Sequence, residues 1–226
     1  MAKDLDQPTD DRIVAMQNPD LSCRAADLRA FEAYWHGLRR GADVPSRGDV
    51  DPRGIESLLS EAFVAEKIAP GLARLRIAGL HLSDLMGMEV RGMPLSTLID
   101  TQDRGRFSAA LVELFERPAT LRIALSAAGD LRRGPVTGTM LILPLRSDLG
   151  DISRALGCLV TTGRIGATPR RFRVTACDIS PIDITADAAP AQAPGVADSR
   201  APFAPTQGDN SATLPAERPY LRLVRD

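Results

Sequence analysis

TLRIALSAAGDLRRGPVTGTMLILPLRSDLGDISRALGCLVTTGR (residues 120–164) carries the pattern on which the fold turns. Leu121, Ile123 and Leu125 alternate with Arg122, Ala124 and Ser126, the two-residue period of a strand with one buried and one wetter face. PVTGTMLILPL (135–145) is more continuously apolar, as expected of a central strand, and RALGCLVTTGR (154–164) completes a set of three. SDLGDIS (147–153) reads as a long hairpin loop between the last two. Consecutive strands with no helix between them pair antiparallel.

Upstream, the period changes. Phe107, Ala110, Leu111, Leu114 and Phe115 form a helical stripe within 102–116, and Pro118 ends it. Earlier still, AFVAEKI (62–68) and LARLRIAG (72–79) are two strands joined by a tight turn at Ala69-Pro70-Gly71. In the second of them Leu72, Arg74 and Arg76 alternate with Ala73, Leu75 and Ile77, which places the arginines in water and Leu75 and Ile77 inside. LHLSDLM is a brief helix between Gly79 and Gly87. Nearer the start, Ser22 is a candidate cap for a helix to about Arg40 with Ala25, Leu28, Phe31, Trp35 and Leu38 at helical steps. Asp51 as N-cap and Pro52 at the first position open a short helix, RGIESLLS.

The order is two strands, several short helices, one longer helix and three strands. It predicts an α+β fold, a five-stranded antiparallel sheet with helices on one face, preceded by N-terminal helices. Hairpins at both ends argue against a doubly wound sheet, in which strands and helices alternate. The expected division is a polar arm at 1–20, N-terminal helices at 21–60, a core at 61–180, and a tail at 181–226. That tail is rich in Ala, Pro and Asp and closes on the short basic and apolar segment RPYLRLVRD.

Composition narrows the function. Of 226 residues, 28 are Lys or Arg and 29 Asp or Glu, so charge supplies no reason to expect a nucleic-acid partner. No apolar run approaches the roughly 20 residues of a membrane span, and the acidic N-terminus has no secretory h-region. A cytoplasmic protein is expected. Cys23, Cys158 and Cys177 are too scattered for a disulfide framework or a zinc site. There is no GxSxG, P-loop or HExxH motif, so an enzyme is not expected.

FEAYWHGLRRGADVPSRGDVDPRGIESLLSEAFVAE (31–66) sets Tyr34-Trp35 in a helix, Pro45-Ser46-Arg47 in a turn and Asp51-Pro52 at a helix start. LRIAGLHLSDLMGMEVRGMPLSTLID (75–100) continues with Arg76, Gly79, Gly87 and Gly92. Together these resemble a bacterial family of small stand-alone single-PAS-domain proteins, over about two thirds of the chain. The resemblance implies a PAS fold and a signalling setting with a protein partner, and implies no particular ligand. PAS domains that hold haem usually hang it from a histidine on the long helix, but His36 and His81 both lie elsewhere. Flavin photosensors use a cysteine in an Asn-Cys-Arg context, which none of the three cysteines has. Neither cofactor is expected.

A PAS sheet and its helices can enclose a pocket. Alternation nominates Leu75, Ile77, Leu111, Phe115, Leu121, Ile123, Leu125, Met140, Ile142, Cys158 and Val160 as its lining or as core, with the inward parity of the last two strands open. A ligand there would be small and apolar, oriented by Arg76 or Arg122; a filled core is the alternative. Phe31 and Trp35 need cover, from the same chain or from a homodimer built on their helix. The leading reading is a sensory or regulatory module acting by protein contact. Its rivals are a small-molecule receptor and, further off, an enzyme on a PAS-like scaffold.

Overall fold

The computed structural model describes residues 19–41, 43–129 and 134–183. The expected arm before residue 19 and the tail beyond 183, RPYLRLVRD included, lie outside the described residues. One antiparallel sheet organises the rest. Its strands are β1 (Ala62–Ala69), β2 (Leu72–Ala78), β3 (Ala119–Ala127), β4 (Val136–Arg146), β5 (Ile152–Thr162) and β6 (Arg173–Pro181), in the order β2-β1-β5-β4-β3-β6.

The sheet therefore has six strands, not the expected five. β6 pairs with β3 from Ala119↔Pro181 to Ser126↔Arg173. Its sequence, RVTACDISP, hides it: of its nine residues only Val174 is buried, so it has no apolar alternation to read.

The helices are α1 (Pro19–Leu38), α2 (Leu80–Met86) and α3 (Arg104–Glu116), with 3-10 segments at Arg47–Asp49, Pro52–Leu58, Leu95–Leu98 and Thr101–Asp103. Ser22 lies inside α1, which starts three residues before it. The core helices cover one face of the sheet, as expected, and the N-terminal helix covers the other. The inner face carries α2 and α3 over Leu75, Leu121, Ile123, Met140 and Ile142. The outer face carries α1 over Leu141, Leu143, Leu145, Leu156 and Cys158. Continuous apolar runs in β4 and β5 follow from this, because consecutive side chains point to opposite faces and both faces are covered.

A bulge in β2 reverses one expected parity. Val64 faces Ile77 and Ala65 faces Leu75, so Arg76 is an extra residue with no partner of its own. Leu75 stays inside, whereas Ile77 turns to the outer face and is 51% exposed.

Candidate functional site

The residues expected as pocket lining or core divide between the two faces of the sheet. Leu75, Leu111, Phe115, Leu121, Ile123, Leu125, Met140 and Ile142 are each buried within one continuous apolar cluster, together with Phe63, Leu82, Phe107 and Phe172. Three nominated residues are elsewhere. Ile77 is the bulge case, and Cys158 and Val160 belong to the outer cluster, because β5 presents Leu159, not its neighbours, to the inner face. Burial pushes the Cys158 thiol up to about 12, which leaves it a small hydrophobe at neutral pH.

On the outer face, α1 is integral to the domain. Phe31 and Trp35 are buried against this chain's own sheet, so neither is available as a dimer seam. The Trp35 indole Nε1–H donates to the Pro144 carbonyl at 3.0 Å. Pro144 sits in β4 opposite Ala155 of β5, beyond the point where the ladder to β3 ends at Ile142. The Arg24–Glu61 and Arg122–Glu32 ion pairs, both at 2.8 Å, hold the helix from either side.

The motif residues serve this docking. The Tyr34 hydroxyl accepts from Asp51 N–H at 2.7 Å and donates to the Asp51 carbonyl at 2.9 Å. Gly54 leaves room for the Tyr34 ring, which a Cβ there would meet at 2.0 Å. Asp51 caps the 3-10 segment through Arg53 N–H, and Pro52 opens it. Ser46 and Asp49 form a capping box, and Arg146 N–H donates to the Pro45 carbonyl at 2.9 Å, which fixes the turn that carries Arg47. Gly79 lies so close to the Ser60 carbonyl that a Cβ would come within 2.1 Å. Gly87 ends α2 in the left-handed region, and Gly92 lies there too.

Both arginines proposed for a pocket mouth are engaged. Arg122 is held by Glu32, and Arg76 joins Arg74 and Arg154 around Glu66. Arg76 above all, then Arg154 and Arg74, holds the Glu66 carboxyl well below its usual range, at about 2. His81 is partly buried, with Nε2 at 2.9 Å from Thr161 Oγ1; burial lowers its pKa against the pull of Glu61. Among the described residues no group of three His, Cys, Asp or Glu side chains could hold a metal ion.

What the sequence reading missed is an apolar groove of about 290 Å³ outside the inner core. It runs between the 3-10 segments and the outer surface of β1 and β2, with Ile55 and Leu59 on one wall and Val64, Ile77 and Leu156 on the floor. Among the described residues, Arg47 is the only charged one lining it. The Pro-Ser-Arg turn was a usable signal for its rim, but the floor exists only because the bulge turns Ile77 outward.

A family model described as a PAS domain matches residues 23–160. Two solved structures are similar over about half of the chain. The light state of the blue-light photoreceptor Aureochrome1 LOV matches at 12% identity and a TM-score of 0.35, over 50% of this chain and 88% of that one. An RNA-binding Light-Oxygen-Voltage receptor matches at 17% identity and a TM-score of 0.34, over 51% of this chain and 35% of that one. No curated protein matches the chain. No described helix is long and apolar enough to cross a membrane.

Proposed function

For this chain, which belongs to the PAS-domain family, we propose a cytoplasmic sensory or regulatory module of a bacterial signalling pathway that acts through protein contact and not by catalysis. The observation that carries the reading is the packed inner face. With the inner face a continuous buried apolar cluster that turns few polar groups inward to orient a ligand, a signal is read and passed on at surfaces. Leu80 at the start of α2 and Met88 just past its Gly87 cap offer one such surface, since they are 70% and 55% exposed. Neither residue lines the groove beside Arg47.

The test is affinity capture from the source cells with the full chain and with a Leu80→Ser, Met88→Ser variant of unchanged melting temperature. A partner retained by the first and lost by the second supports the contact reading. Equal capture by both, or capture of nothing, counts against it.

A second reading, a receptor for a small apolar molecule that gates the contact, is favoured by the groove. A thermal shift across a metabolite panel, with a bound mass in native mass spectrometry, would support it; a flat response would remove it.

A further inference from the structure

We propose that the groove beside the Pro45-Ser46-Arg47 turn binds an amphiphilic monocarboxylate, an alkyl chain with one carboxylate head, on the outer side of the sheet. The inference rests on the receptor reading above and adds to it a site and a ligand class.

Two independent observations meet there. The first is the groove, whose walls and floor are apolar and leave Leu59 and Ile77 49% and 51% exposed. Large apolar side chains gathered around a concavity, not scattered singly, mark a binding surface. The second is Arg47. The other half-buried arginines among the described residues pair with carboxylates, as Arg122 with Glu32 and Arg146 with Asp43, or donate to backbone carbonyls, as Arg39 and Arg104 do. Arg47 is also half-buried, yet among the described residues its guanidinium has no ion-pair or hydrogen-bond partner. The nearby acids are occupied: Asp49 accepts from Ser46 N–H and pairs with Arg40, and Asp51 accepts from Arg53 N–H. A partly desolvated cation on an apolar rim is completed by an anion that brings its own apolar body.

The chemistry of the head follows from the count of cations. One guanidinium presents a planar fork that one carboxylate matches with two parallel bonds. Among the described residues no second cation lines the groove, so a phosphate dianion would keep an uncompensated charge against apolar walls. The body follows from size, since about 290 Å³ lies at the small end of small-molecule sites and suits a medium-length chain.

The experiment is calorimetric titration of the purified full chain, below micellar concentrations, with hexanoate, octanoate, decanoate and dodecanoate, and with decanol as the uncharged control. Affinity is expected to rise about four-fold per methylene until the groove is filled. Decanol is expected to bind about ten-fold more weakly than decanoate. Arg47→Gln should bring decanoate down to the level of decanol and leave decanol unchanged, whereas Ile77→Gln should weaken both. Both variants should keep the melting temperature of the unliganded chain, because both side chains are partly exposed and neither holds a partner. Equal affinity for acid and alcohol, or no binding at any chain length, overturns the inference. Carboxylate binding untouched by both variants also overturns it, while leaving a receptor whose site is elsewhere.

Discussion

Trp35→Ala removes the largest fully buried side chain of the domain, and its cost can be worked from the contacts. The indole is 0% exposed within the outer cluster, and its N–H satisfies the Pro144 carbonyl. Truncating a buried Trp costs about 3–5 kcal/mol through lost transfer energy and the cavity left behind. The stranded carbonyl pushes the value to the upper part of that range, because an unpaired buried acceptor costs about 1–3 kcal/mol by itself. We expect a loss of about 4–5 kcal/mol, a large share of the roughly 5–15 kcal/mol that holds a domain together. Trp35→Phe keeps much of the apolar contact and loses the hydrogen bond and part of the packed volume, so about 1–3 kcal/mol is expected. The assay is urea unfolding followed by far-ultraviolet circular dichroism, since Trp35 is the only tryptophan and its fluorescence disappears with it. The midpoint should fall without dependence on protein concentration, because the cover comes from the same chain. A loss below about 1 kcal/mol, smaller than the usual buried Trp truncation, would refute the claim that α1 is part of the core. A midpoint that moves with concentration would return Trp35 to a dimer seam.

Three further outcomes are expected. Glu66 titrates lower in the folded chain than in the unfolded one, so its stabilising effect is present above about pH 4.5 and is lost as pH falls towards about 2; the stability gap between the wild type and Glu66→Gln, measured by urea unfolding, should close across that window and stay constant above it. Gly79→Ala should destabilise by about 1–3 kcal/mol, because its Cβ would meet backbone, the Ser60 carbonyl, at 2.1 Å and something must move; an unchanged melting temperature would contradict the geometry. In a Cys23→Ser background a thiol reagent at neutral pH should modify Cys177 slowly and Cys158 only after denaturant is added, since burial raises both thiols but leaves Cys177 partly exposed; equal native labelling of both would contradict the placement of Cys158.

Most of the scaffold was legible because its elements carry local signals. Alternation in 121–126, the stripe from Phe107 to Phe115, and the caps at Asp51 and Gly87 each depend on residues within one or two turns of each other. The motif residues were equally legible, though their purpose was not: Tyr34 and Asp51 are 17 residues apart and become partners only when α1 lies down beside the 3-10 segment. β6 escaped notice because an exposed edge strand held by backbone bonds to β3 needs no apolar pattern of its own.

The candidate site divides along the same line. By itself, the sequence determined five of the six strands, the three α-helices, most of the apolar residues that must be buried, and the Pro45-Ser46-Arg47 turn, because propensity, period and capping act over a few neighbouring residues. Only the tertiary structure decided which face each apolar residue serves. One extra residue at Arg76 moved Ile77 from the core to a groove floor, and two-sided cover sent Cys158 and Val160 away from Met140 and Ile142. It also decided which arginines are neutralised, since Arg76 and Arg122 meet their carboxylates through strand register and helix docking, while Arg47 meets none among the described residues. Parity and ion pairing are set by the pairing of distant segments, and no local pattern encodes them.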